Sequence, residues 1–226
     1  MKRVALCSFA VLALSTAYAQ KVTTSVQKGG VKNKWRTTIT MPKVSGGSAL
    51  ANYANSQFKA NAATFLASFK KQVNETFKDG LDLPGPLELD AQPTFTLVSP
   101  TWITGYWTVY SFMGGAHGAT GFVAFNYTMI GGKPKNAGLS DLFVNAKSAS
   151  DDLTQLLTQK LLANPNALFI HDGSSKVAAE QLPFTLTKTG LLFLLEPYIA
   201  GPYSEGTFKV PLAYKEIQAP FKLKGK

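Results

Sequence analysis

Two histidines and one aromatic loop are the residues here whose types and spacing invite chemistry. His117 lies in Gly114-Gly115-Ala116-His117-Gly118, where three glycines permit positive backbone dihedrals and let a ligand or another segment come close. To serve as a base or a metal ligand it needs partners. His171 is the only other histidine, and no His-x-x-x-His or His-x-Asp spacing occurs, so the sequence predicts neither a metal site nor a cofactor. The Gly-x-Ser-x-Gly elbow of many serine hydrolases is absent as well. The aromatic loop is Glu196-Pro197-Tyr198-Ile199-Ala200-Gly201-Pro202-Tyr203-Ser204-Glu205-Gly206. A rigid loop that exposes aromatic faces beside a carboxylate suits sugar recognition, and it equally suits a loop packed shut by its own tyrosines. His117, Tyr198, Tyr203 and Glu205 are therefore the candidate ligand-binding residues, and none is assigned a catalytic role. Carboxylate pairs for glycoside cleavage are spatial rather than sequential, which leaves Glu205 with His117 or Glu196 open as a hydrolytic pair.

These segments need elements to position them. A strand is expected from about Lys34 to Met41, ending at Pro42 and followed by the loop Ser45-Gly46-Gly47. Ser48 reads as the N-cap of a long amphipathic helix, with Phe65, Phe69, Val73 and Phe77 every four residues and a stop at Asp79-Gly80. That stripe reads as a core face. After the breaker Leu83-Pro84-Gly85-Pro86 come strands at Phe95–Val98, Thr101–Phe112 and Gly121–Ile130, the last closed by Gly131-Gly132. They predict an antiparallel meander. A second helix is expected from about Ser150 to Leu162, with Asp151 and Asp152 in its first turn and Leu153, Leu156, Leu157 and Leu161 on one face. Further strands are expected at Phe184–Leu186, Leu191–Glu196 and Thr207–Val210. The fold class is α+β, an antiparallel sheet with helices packed on one side, in two closely associated subdomains at residues 20–90 and 91–226.

The first nineteen residues read as a secretory signal. Lys2 and Arg3 precede a short apolar run from Val4 to Leu14, and Ala17-Tyr18-Ala19 is a small-x-small site that predicts cleavage after Ala19. No stretch reaches the roughly 20 apolar residues of a spanning helix. Cys7 is the only cysteine, so the mature chain has none, and a hydrophobic core must hold it together without disulfides. With 226 residues, 45% hydrophobic and 12% aromatic, the chain has ample material for that core. The formal charge is +10; without Lys2 and Arg3 it is +8. Lys21, Lys28, Lys32, Lys34, Arg36 and Lys43 come with no acidic residue among them, a surface that either keeps the protein soluble or attracts polyanions. Arginine is scarce and the aromatics pattern as core, which argues against nucleic acid.

Gly114-Gly115-Ala116-His117-Gly118, Asn126-Tyr127 before Gly132-Lys133, Leu139-Ser140-Asp141-Leu142-Phe143, and Pro197-Tyr198 with Gly201-Pro202-Tyr203-Ser204-Glu205-Gly206 stand in a suggestive order. Together they resemble a domain family of unassigned function. It forms the extracellular part of the lysozyme-sensing anti-sigma factor and precedes the catalytic domain in some peptidoglycan deacetylases. The resemblance covers about Phe95 to Ile217, and the preceding strand and long helix are similar to the smaller companion domain found with it. It implies a periplasmic or secreted cell-envelope domain, noncatalytic, that binds peptidoglycan, another wall glycopolymer or a wall-directed protein. A sensor or inhibitor that captures a secreted protein is the alternative, and a glycan hydrolase using Glu205 is a further one. The positive charge disfavours a lysozyme of the usual cationic type as partner, since like charges lose electrostatic steering.

Overall fold

The computed structural model describes residues 20–78 and 85–223. The signal segment, the Asp79-Gly80 stop and part of the breaker after it lie outside the described residues. Among the described residues nine strands divide between a six-stranded sheet, in the order β1 to β6, and a three-stranded sheet, β7 to β9. β1 (Val22–Val31) and β2 (Trp35–Val44) form a ten-pair antiparallel hairpin. The helix α1 (Ala49–Lys78) then crosses over, so that β3 (Leu87–Val98) runs parallel to β2 from Trp35↔Leu87 to Ile39↔Ala91. β4 (Trp102–Phe112), β5 (Ala119–Ile130) and β6 (Lys133–Asn136) complete the expected antiparallel meander. The α+β class is observed, with the strands split over two mostly antiparallel sheets.

α1 begins as its sequence requires. The Ser48 hydroxyl accepts from the Ala51 amide at 3.1 Å, satisfying one of the orphan donors of the first turn. Leu50, Ala54, Phe58, Ala62, Phe69 and Val73 form its buried face, and Phe65 and Phe77 flank that face half-buried. Phe58 is its centre: its ring meets Phe95, Trp107 and Phe125 edge-on, with centroids 5.8, 6.3 and 5.2 Å away. β4 is buried on both faces from Trp102 to Trp107 because each face has a separate cover. Ile103 and Trp107 pack under α1, while Tyr106 turns the other way and joins Phe122 of β5 and Leu194. Gly105 is where a side chain has no room. A Cβ there would lie 2.1 Å from the Thr94 carbonyl oxygen and 2.7 Å from the Phe125 ring.

Pro42 and Pro93 sit inside strands where pairing permits them. β2 continues through Pro42, beyond its expected end, because past Ile39 it has lost β3 and keeps only β1 as a neighbour. Pro93 of β3 likewise falls just after the last pair with β2.

The helix α2 (Leu139–Leu142) and the longer α3 (Ala146–Leu162) follow β6. α3 starts four residues before the expected position, capped by Asn145, whose side chain accepts from the Ser148 amide at 3.0 Å. Asp152 is therefore not in the first turn. Its carboxylate instead accepts from the amides of Gln218 and Ala219 at 2.8 and 3.0 Å, fastening the C-terminal segment to the helix. Ala149, Leu153, Leu157 and Leu161 of α3 are buried with β7 (Phe184–Leu186), β8 (Gly190–Leu195) and β9 (Phe208–Ala213) in a second core. A short α4 (Leu168–His171) precedes them. Among the described residues no helix is long and apolar enough to cross a membrane.

The two sheets are joined by a buried amide. Asn126 of β5 donates from Nδ2 to the Phe184 carbonyl at 2.9 Å and accepts at Oδ1 from the Leu186 amide at 2.8 Å. The hydroxyls of Thr96 and Thr104 both donate to the Leu186 carbonyl, at 2.6 and 2.8 Å.

Asn126→Asp turns the donor facing Phe184 into an acceptor; chemical denaturation at neutral pH should show a loss of about 3 kcal/mol, partly recovered in acid, where the protonated carboxyl can donate. Asp141 of α2 provides a second measurement. Partial desolvation pushes its pKa up, but the Lys135 hydrogen bond at 2.7 Å, the Gly138 amide and the charges of Lys135 and Lys222 outweigh this and hold it below the ordinary value. Its contribution to stability is then complete above the unfolded-state carboxyl pKa and disappears as pH falls through the lower folded value. Stability measured between about pH 5 and 2 should fall less steeply in Asp141→Asn than in the parent.

Candidate functional site

The β4–β5 loop and the β8–β9 loop meet at three aromatic side chains. His117 stacks on Tyr203, with ring centroids 3.7 Å apart and planes 19° from parallel. Its Nε2 lies 3.3 Å from the Tyr198 hydroxyl, and its Nδ1 lies 3.0 Å from the Gly118 carbonyl oxygen. Tyr198 and Tyr203 are 5.8 Å apart, so the three rings make one small patch. His117 is exposed, Tyr203 half-buried, and Tyr198 55% exposed.

The loops are built to hold this patch. Gly118 packs so closely under Tyr110 that a Cβ would come within 2.4 Å of its ring, which fixes the path of the chain next to His117. The Ile199 carbonyl accepts from the Ser175 hydroxyl at 2.6 Å, and the Ala200 carbonyl accepts from the Phe169 amide at 3.0 Å. Tyr203, Ser204 and Glu205 form a single 3-10 turn. Tyr198 has φ 71°, a conformation costly for a residue with a bulky side chain.

Glu196 is committed elsewhere. Its carboxylate accepts from the Phe122 amide at 3.1 Å, filling a backbone donor of β5 in the stretch not paired with β6. Glu205 points to a separate cleft of about 340 Å³, shared with Lys160, Asn164, Asn166, Thr207 and Lys209. His117, Tyr198 and Tyr203 do not line that cleft. The structure thus brings together three of the four candidate residues and sets Glu205 on the far end of their loop. His171 sits in α4 with its Nε2 3.0 Å from the Asn164 carbonyl oxygen. Among the described residues no group of three His, Cys, Asp or Glu side chains could hold a metal ion. Sequence reasoning had Glu196 only as a possible hydrolytic partner and missed its role as a tie to β5; the signal was a carboxylate placed directly after an apolar strand.

In Glu196→Ala the Phe122 amide should exchange with solvent at least about tenfold faster in hydrogen-exchange NMR, and the His117 ring resonances should move because the loop carrying Tyr198 loses its anchor. An unchanged Phe122 amide would show that the carboxylate does not hold the loop.

The family model described as deacetylase PdaC matches residues 30–120, and the model for a protein of unknown function, DUF3298, matches residues 140–215. A DUF3298 family member from Bacteroides fragilis shares the fold with a TM-score of 0.70 at 18% identity, over 91% of this chain and 95% of that one. A DUF3298 family protein from Pseudomonas aeruginosa does so with a TM-score of 0.57 at 14% identity, over 90% and 94%. No curated protein matches the sequence. In order along its length, the chain carries a domain of the deacetylase PdaC family followed by a DUF3298 domain.

Proposed function

We propose that the protein is an exported, noncatalytic module of the bacterial cell envelope that holds peptidoglycan or a related wall glycan on the patch formed by His117, Tyr198 and Tyr203. The observation that carries this reading is Tyr198. A non-glycine residue held at positive φ costs about 1–3 kcal/mol, and here that cost keeps an aromatic ring 55% exposed rather than burying it. A core has no use for such a residue; a binding surface does. Sugar rings present apolar C–H faces that lie against aromatic rings, while the phenol oxygen of Tyr198, bonded to His117 Nε2, keeps lone pairs that accept from their hydroxyls. The loop anchors through Ser175, Phe169 and Glu196 keep the patch in place before a ligand arrives, which lowers the entropy lost on binding. The export signal read in residues 1–19 and the domain pair both favour work in the envelope. Glycoside hydrolysis is less well supported, because Glu196 is occupied by the Phe122 amide and Glu205 lines another cleft.

Cosedimentation with purified peptidoglycan sacculi tests the proposal. The protein should pellet with the wall at physiological salt, and Tyr198→Ala, which removes an exposed side chain, should reduce the bound fraction about tenfold while leaving the melting temperature unchanged. Pelleting that disappears with salt and is indifferent to Tyr198 would assign the binding to the lysines. Absence of pelleting at any salt would overturn the glycan reading in favour of a protein partner.

A further inference from the structure

A second polar concavity lies far along the chain from the aromatic patch. In the β1–β2 hairpin, residues directly opposite share a face, so Ser25 and Gln27 stand beside Met41 and Ile39. Ile39 packs under α1, which places Ser25 and Gln27 on the side of the sheet that the helix occupies. The helix covers β2 but leaves β1 bare, and from Thr23 to Val31 every residue of β1 is exposed. The step between the bare strand and the flank of α1 is a trough of about 570 Å³. Gln27 also lines a separate, smaller recess of about 130 Å³ beside Lys28 and Lys70.

We propose that this trough binds an acidic polysaccharide, with Lys43 and Lys59 pairing its carboxylates and Ser25, Gln27, Asn52 and Ser56 bonding its hydroxyls. The charge of the lining argues for an anion. Every charged residue lining the trough and the recess is a lysine, and no carboxylate lines either. Among the described residues Lys43 and Lys59 take part in no ion pair, although cations elsewhere on the same strand and helix do find partners, Arg36 with Glu88 and Lys71 with Glu75. The trough is also preformed. Asn55 of α1 accepts from the Val44 amide and donates to the Val44 carbonyl, both at 2.9 Å, which locks the helix to the end of the hairpin. The kind of anion follows from what the walls offer. β1 is the edge strand of the six-stranded sheet, but the trough lies between its helix-facing side chains and α1 and so presents hydroxyl, amide and ammonium groups. An extended peptide is recognised chiefly through an open edge; a chain of sugars bearing carboxylates matches the side chains.

Encounter with such a polymer rests on the protein's working in the envelope, but the trough and the aromatic patch are tested separately. Binding of a short oligogalacturonate, followed by calorimetry, should be measurable at low salt, while a neutral chito-oligosaccharide of equal length should bind the trough far more weakly. Lys43→Gln with Lys59→Gln should weaken the oligogalacturonate about tenfold. Both lysines are exposed, so the fold is expected to persist and is checked by its melting temperature. Tyr198→Ala should leave this affinity unchanged, even where it abolishes pelleting with sacculi. Lys188→Gln with Lys215→Gln, which removes the same charge from the other sheet, should also leave it unchanged. The proposal is overturned if that control pair weakens binding as much, if the neutral sugar binds equally well, or if a poly-glutamate peptide binds more tightly than the oligogalacturonate.

Discussion

The arrangement depends on the side-chain amide of Asn126. Buried where no water can replace its partners, it treats β7 as a neighbouring strand would, donating to Phe184 and accepting from Leu186. Its own backbone is spent on the opposite side, its amide donating to the Asn136 side chain and its carbonyl accepting from Ala137. One residue thus couples β5, the end of β6 and the three-stranded sheet, with every polar group satisfied. Thr96 and Thr104 reinforce the same seam from β3 and β4. Once β7 is in place, β8 lays Leu194 on Tyr106 and Phe122, and the residue after β8, Glu196, reaches the Phe122 amide. Only then are Tyr198 and Tyr203 carried to His117.

Much of this was legible in the sequence where one face of an element is wet and the other dry. α1 announced itself through its four-residue apolar spacing and Ser48, and β4 and β5 through runs of aromatic and β-branched residues bounded by glycines. β1 gave no such signal, because exposure on both faces imposes no alternation on Val-Thr-Thr-Ser-Val-Gln-Lys. The parallel pairing of β2 with β3 was hidden too, since nothing local distinguishes a crossover from a break between subdomains. The start of α3 was misplaced because Asp151 and Asp152 imitate first-turn carboxylates, whereas Asp152 serves a segment more than sixty residues away.

The site was legible as a set of residue types but not as a partition. Glycines around His117 and prolines around the tyrosines pointed to two loops that do come together, and three of the four candidates meet there. What separates Glu205 from them is a single 3-10 turn, and what removes Glu196 from chemistry is an unpaired amide on another strand. Both are tertiary facts. The lysines between Lys21 and Lys43 read as an undifferentiated basic run, and only the step between β1 and α1 sets Lys43 in the trough and Lys28 beside the smaller recess, apart from the others.

The double cover of β4 also bears on the order of folding. Its α1-facing side can be buried by residues that precede it or follow soon after, but Trp102, Tyr106 and Phe122 wait for partners such as Phe193, Leu194 and Leu195, about 70 to 90 residues further on. A chain made from its N-terminus therefore passes through a stage in which the large sheet can be assembled with one aromatic face bare, the kind of surface on which nascent chains associate. The polar seam at Asn126, Thr96 and Thr104 lies in the middle of that face, and its unpaired amide and hydroxyls keep it from becoming one uninterrupted greasy plane until the last three strands arrive.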